Sequence, residues 1–410
     1  MKVDRIFKYL FVSLVPSVIV SFGLNSVVLV CSSILAFRML IREQPKTFPK
    51  TYLLFNAFTI SVLIGMFIDL FQSNSLDLHQ LIKRMGFLLM PLIILSSSEK
   101  TQRLSLKVYV YFLTLLSSIL ILTGLVRAFV NKGKIIYGNW DSDTTELFYK
   151  NDMILNWGEL SYRRLFLFFD MHPSYYALFS LIAIVILIFS NTFHIRKTIK
   201  WLMVVLHVTI MVLLSSKAGI VSLLAVFIVY LFRLKYLKHA FIGVFSLLIL
   251  LLIISKIPST EIRLKSAIDA IQMEGPLTGP NSTSERMTLW KTATEINKWE
   301  LITGNGQHGA RQKIIDLTGI DKNMHNQFLQ SLLDSGLLGL LLTILFVISP
   351  LFSNKNAFTW TLVLVILINL LFENMLDRVW GIIPISFFYG LIIFGSSELT
   401  NFDRTIKSEP

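Results

Sequence analysis

Apolar runs long enough to cross a bilayer recur from one end of this chain to the other, and that single feature fixes its fold class. Twelve spans are expected, at about 7–21, 24–41, 51–72, 80–97, 107–130, 173–190, 201–216, 218–232, 240–257, 326–352, 357–375 and 380–396. In hydrocarbon every backbone N–H and C=O must be satisfied within the segment, so such runs are helices. The expected fold is an all-α polytopic membrane protein with about 12 transmembrane helices and a large, partly helical loop on the outer side.

Charge agrees with this reading. Only 15% of residues are charged, against about 25% in soluble domains. The net charge of +13 is not a nucleic-acid signal, because the cations lie mostly in short loops between spans. IREQPKTFPK, EKTQRLSLK, NTFHIRKTIK and RLKYLKH carry three positives each, whereas the turns SFGLN and SNSLDLH carry none, which places both termini in the cytoplasm. The basic, apolar N-terminus resembles a signal peptide, yet a second span follows at once without a clear cleavage site and the first is read as an uncleaved helix. Cys31 is the only cysteine, so disulfides and cysteine metal sites are excluded.

Three regions follow: membrane helices one to nine with an outer segment at 131–172 (1–257), a large loop (258–325), and the last three helices with a tail (326–410). The loop's positives and acids nearly balance, so it is no basic arm. A helix is expected at about 260–272. Ser282 and Glu285 have the spacing of a capping box, and Trp290, Ala293 and Ile296 follow at helical intervals, predicting another at 283–298.

Several side chains could carry chemistry. Arg286, in the first turn of that second loop helix, opposes the helix dipole unless an anion binds there; otherwise it is a surface arginine. Lys217 stands in SSKAG where two spans meet, either as a functional cation or as a snorkelling one. Lys83 and Arg84 also approach the outer end of their span, and several cations at one face suit an anionic lipid head group. FENMLDR sets Glu373 and Asp377 four apart on one helical face, with Arg378 in reach of Asn374 or Glu373, as a structural ion-pair cluster or a substrate-binding one. His172 precedes a proline at the start of span six, a site residue or an interfacial one beside Tyr175 and Tyr176. GNGQHGA has dinucleotide-loop spacing, but no strand precedes it, so it reads as a turn between loop helices with His308 a loop residue. No histidine pair has metal-binding spacing.

The stretch MHNQFLQSLLDSGLLGLL places His325 at the doorstep of span ten. On a continuous helix Gly336 returns to the face of His325, with Gly339 near it, and the two glycines allow close approach of a neighbour. Histidine is the side-chain type suited to proton exchange near neutral pH, although a lone histidine is more often structural.

These strings together resemble the O-antigen ligase and O-antigen polymerase superfamily. Its signature, His, then Asn, Ser or Gln, nine residues, Gly, two residues and Gly, Thr or Tyr, is matched by His325, Asn326, Gly336 and Gly339. Arg286 with Trp290, the GNG turn, SSKAG and FENMLDR fall in the same order. The resemblance implies an inverting membrane glycosyltransferase of the bacterial inner membrane, acting at the periplasmic face in lipopolysaccharide biosynthesis without cofactor or metal. The donor it implies is an undecaprenyl-diphosphate-linked glycan and the acceptor lipid A core, with membrane lipids around and no nucleic acid. His325 takes the role of base and Arg286 that of a diphosphate ligand, joined by Lys217 and Arg378. Lys217 stands where the family commonly has arginine and lacks that residue's bidentate fork. Asn326, Gly336, Gly339, Glu373 and His172 are supporting positions. A repeat-unit polymerase, a protein O-glycosyltransferase and, outside enzymes, a lipid-linked glycan transporter remain alternatives.

Overall fold

The computed structural model describes residues 2–43, 51–73, 77–132, 155–166, 171–190, 195–232 and 282–396. The expected span at 240–257, the helix at 260–272 and most of 131–172 lie outside the described residues. Every element among the described residues is helical. Five are long and apolar enough to cross a membrane, and five shorter apolar helices accompany them.

The chain forms two compact units. The first comprises Met1–Tyr111, Phe189–His194 and Leu289–Pro410; the second, Phe112–Ile188 and Ile195–Thr288.

The first unit opens on α1 (Lys2–Val20) and α2 (Phe22–Glu43), a tight pair separated by Ser21 alone. Asn25 is buried between them, and its side-chain amide donates to the Leu14 carbonyl at 2.8 Å and to Ser17 Oγ at 2.9 Å. A buried amide without such partners would cost about 1–3 kcal/mol.

Spans three and four are each broken, where continuous helices were expected. Asn56 separates α3 (Thr51–Phe55) from α4 (Ala57–Ser73), and Arg84 separates α5 (Leu78–Lys83) from α6 (Met85–Leu95). The second break has a visible cause: Arg84 turns its guanidinium back to the Gln80 carbonyl at 2.8 Å and to the Gln80 side chain at 2.9 Å. The core beneath is aromatic. Phe87 meets Phe346 edge-on at 5.0 Å, Phe55 and Phe58 flank them, and the Tyr389 hydroxyl donates to the Val347 carbonyl at 3.0 Å. Rings that pack edge to face gain about 0.5–1.5 kcal/mol beyond the area they bury.

In the second unit, α7 (Glu99–Val130), which begins in the first, is followed by two 3₁₀ turns (Trp157–Leu160, Tyr162–Phe166). Next come α8 (Pro173–Phe189), α9 (Lys197–Leu214) and α10 (Lys217–Phe232). Ala177–Leu187 are almost wholly buried, as a helix apolar on all sides must be. Ser117 Oγ and the Tyr176 hydroxyl pair at 2.9 Å, and Glu159 is held by Arg127, Arg164 and Asn131. Only Ser215 and Ser216 separate α9 from α10, in agreement with the expected meeting of two spans at SSKAG.

The loop past residue 282 is folded. It carries α11 (Ser282–Glu295), α12 (Lys298–Thr303) and α13 (Gly306–Thr318), so the single helix expected at 283–298 divides before Asn297, whose side chain caps α12. Leu289, Ala293, Ile296, Ala310, Ile314 and Met324 close a small core against Leu333. Leu333 belongs to α14 (Gln327–Ser353), which is followed by α15 (Ala357–Phe372), a 3₁₀ turn (Met375–Asp377) and α16 (Val379–Phe394).

Candidate active site

His325 precedes α14 and is not part of it. Asn326 is the N-cap, accepting at Oδ1 from the amides of Phe328 at 3.0 Å and Leu329 at 3.1 Å. Its backbone is therefore extended, and His325 is driven into the left-handed region at φ 47°. A non-glycine residue there costs on the order of 1–2 kcal/mol and persists only when its neighbours over-determine it. The neighbours do so: the His325 amide donates to Asn323 Oδ1 at 3.2 Å, the Met324 amide to Gln330 Oε1 at 3.0 Å, and Trp290 Nε1 to the Met324 carbonyl at 2.8 Å. The expectation that His325 and Gly336 share one continuous helical face is thus overturned, because the histidine lies outside the helix and the helix breaks at Gly336.

From this position His325 Nδ1 meets Glu373 Oε2 at 3.0 Å. Glu373 ends α15 in an extended conformation, not on the continuous helical face expected for Glu373 and Asp377. An Nδ1–H donated to a carboxylate leaves Nε2 as the basic nitrogen, and the carboxylate stabilises the imidazolium formed when a proton is taken.

A chain of polar groups ties both partners down. Asn374, next to Glu373, donates to Gln330 Oε1 at 3.2 Å and to Asp377 Oδ2 at 3.0 Å. Gln330 donates to Asp334 at 2.8 Å, and the Gln327 side chain accepts the Leu376 amide at 3.0 Å. The cation on Asp377 is Arg84, at 2.6 Å, with its guanidinium 5.6 Å from the Phe58 ring centre. Arg378, expected to belong to this cluster, is exposed instead and forms no ion pair among the described residues. Arg84, Gln327, Asp334 and Asp377 line a small cavity with Phe58 and Ser61.

The two glycine motifs meet. Gly336 adopts φ 68° and ψ −165°, a conformation open essentially to glycine alone. A β-carbon added there would fall on the Ile302 carbonyl oxygen, and one added at Gly304 would lie 2.6 Å from the Gly336 nitrogen. The Asn305 amide donates to the Leu333 carbonyl at 2.9 Å, in the turn where the kink interrupts α14. Gly339 lies against Ser61 of α4, whose hydroxyl donates to its carbonyl at 3.3 Å. The GNG string is therefore a close backbone contact as well as a turn. His308, expected in a loop, lies in α13, whose first amides at Gln307 and His308 donate to Asp69 of α4 at 2.8 and 3.0 Å.

In the second unit Lys217 opens α10, and its ammonium donates to the Thr283 hydroxyl on α11. Thr283 and Arg286 are three apart on that helix, neighbours on one face. Arg286 is half-buried, one turn along α11 from the residue that Lys217 contacts. His172 sits at the start of α8, its Nδ1 accepting the Ser174 amide at 3.3 Å, a capping arrangement.

Gln330, Asp334 and Asp69 were not among the expected site residues, and Arg84, expected as one of several cations facing a lipid head group, is instead buried against Asp377. An acid inside an otherwise apolar run is a functional candidate by default, and Asp334 in QSLLDSGLLGLL is such a signal. Gln330 carried none.

Fold and geometry together define a polytopic helical membrane protein with a histidine–carboxylate pair where a folded loop meets a kinked span. Residues 202–344 match the family model described as O-Antigen ligase, which supports the O-antigen ligase and polymerase superfamily. Lys217, Arg286, His325, Asn326, Gly336 and Gly339 fall inside the matched stretch; His172, Glu373 and Arg378 fall outside it. A search of curated proteins found no match.

Proposed function

We propose that this protein is an O-antigen ligase of the bacterial inner membrane, transferring a glycan from undecaprenyl diphosphate to a hydroxyl of lipid A core at the periplasmic face. The observation that carries the reading is the His325–Glu373 pair at 3.0 Å, with its histidine inside the stretch that matches the ligase family.

Chemically, His325 Nε2 accepts the proton of the acceptor hydroxyl as that oxygen attacks the anomeric carbon. The carbon–oxygen bond to the diphosphate breaks, undecaprenyl diphosphate leaves, and the configuration inverts. Glu373 balances the imidazolium. The departing diphosphate gains negative charge, which fixed cations in a poorly hydrated site stabilise far better than water does. The family resemblance makes Lys217, Arg286 and Arg378 the candidates for this role. A base of this kind contributes about 10²–10⁴-fold in rate. A transport role would leave the strained histidine and its carboxylate without a task.

The test is reconstitution with an undecaprenyl-diphosphate oligosaccharide and, in parallel, lipid A core, a second lipid-linked repeat unit or a peptide as acceptor. Product with lipid A core alone supports a ligase. Product only with the second repeat unit makes the protein a polymerase, product only with the peptide a protein glycosyltransferase, and none at all removes the enzymatic reading.

A further inference from the structure

Two helix lengths, set against the thickness of a bilayer, place the loop's α12–α13 turn. Helix α14 runs 27 residues, or about 40 Å at about 1.5 Å per residue, against a hydrocarbon layer of about 30 Å. With Ser353 at one boundary, the other falls about 20 residues back, close to Asp334–Gly336. Helices α3 and α4 together run from Thr51 to Ser73. With Thr51 at that same first boundary, the second falls about 20 residues on, close to Asp69–Phe71.

Both landing points touch the same turn. Gly304, immediately after α12, is pressed against Gly336, and Asp69 caps the start of α13 through Gln307 and His308. On that placement α12 falls level with the edge of the hydrocarbon layer and not above it in water.

Its surface fits that level. Leu289, Ala293, Ile296, Ala310 and Ile314 of the loop are turned inward. On α12, by contrast, Trp299 is 73% exposed and Ile302 50% exposed, three residues apart on one face, with Lys298 exposed beside them. On α4 the exposed Phe71 stands two residues from Asp69. Tryptophan and lysine over an aliphatic side chain is the composition of a helix resting among head groups, the ring at the interface and the ammonium in water.

We propose that α12 is an interfacial anchor: Trp299 and Ile302 contact phospholipid at the head-group and acyl boundary and hold the loop that carries Trp290 and His325 against the bilayer. The proposal does not rest on the reaction assigned above, and its test does not read activity.

The test uses the full chain with its only cysteine removed (Cys31→Ser). Trp299→Cys, Ile302→Cys and, on exposed α11 surface, Lys291→Cys are introduced singly and labelled with an environment-sensitive nitrobenzoxadiazole dye. Each protein is placed in phosphatidylethanolamine and phosphatidylglycerol vesicles after its thermal unfolding is checked. The dye at 299 and 302 is expected to emit blue-shifted light and to be quenched severalfold more by lipids with a nitroxide high on the acyl chain than the dye at 291, which iodide in the water quenches instead. Either position serves if the other variant fails to fold. Iodide quenching at 299 and 302 equal to that at 291 overturns the proposal. So does blue-shifted emission indifferent to nitroxide lipids and lost on dilution of protein in the bilayer, which would mean a second copy covers the face.

Discussion

The imidazole of His325 and the carboxylate of Glu373, 48 residues apart in sequence, meet at 3.0 Å from the ends of two different helices. Each is held at a helix terminus: His325 just before the Asn326 cap that starts α14, Glu373 at the end of α15. If Glu373 fixes the tautomer and balances the imidazolium, Glu373→Gln lowers kcat by about 10²-fold or more. KM changes little. Steady-state kinetics separates the two, and a rise in KM at unchanged kcat would make Glu373 a binding group.

Gly336 is a second specific point. Alanine there meets both a conformation closed to it and the Ile302 carbonyl. Gly336→Ala is expected to destabilise the protein by about 1–3 kcal/mol, read as a lower Tm in detergent. Leu337→Ala, on an exposed neighbour, stays near wild type.

Arg84 and Asp377 form a pair in which the arginine is 4% exposed and the acid 25%. Removing one partner strands the other, so Arg84→Met alone costs about 3–5 kcal/mol. The double variant Arg84→Met with Asp377→Asn recovers much of that. Denaturation of the four proteins in a double-mutant cycle measures the coupling, and strict additivity would contradict it.

Asp69 caps α13 from within α4. Asp69→Ala is expected to lose about 0.5–2 kcal/mol and to raise hydrogen exchange at the Gln307 and His308 amides. Asp69→Asn keeps an acceptor and loses only the charge, and falls between.

On the loop surface, two hydrogen bonds from Arg311 at 2.7 and 2.8 Å hold the Asp321 carboxyl below its ordinary value of 3.8. A lowered folded pKa means that stabilisation is complete above the ordinary carboxylate range and is lost as pH falls through the lowered value. The protection factors along α13, taken relative to the intrinsic exchange rate at each pH, should therefore fall in acid in wild type, and that acid-dependent step should vanish in Asp321→Asn.

The apolar helices among the described residues were legible because hydrophobic period and length are local properties. The meeting of α9 and α10 at Lys217 followed from them, and so did a helix after Ser282. What could not be read was where helices stop. Arg84 interrupts one span because its guanidinium finds Gln80 and Asp377, the latter nearly 300 residues away in sequence. Gly336 kinks another because Gly304 packs on it. His325 and Gly336 were connected through a helical repeat, when the histidine stands outside the helix and the glycine breaks it. Glu373 was visible as an acid in FENMLDR, but its pairing with His325 depends on α15 ending at Phe372 in extended backbone, which periodicity does not specify.

In the proposed mechanism His325 removes the acceptor proton. Single-turnover transfer from undecaprenyl-diphosphate oligosaccharide by wild type and His325→Ala, at matched stability and with donor binding measured separately, tests it most directly. Donor binding is expected to stay intact while the transfer rate falls by about 10²–10⁴-fold. Transfer at the wild-type rate by His325→Ala would contradict it.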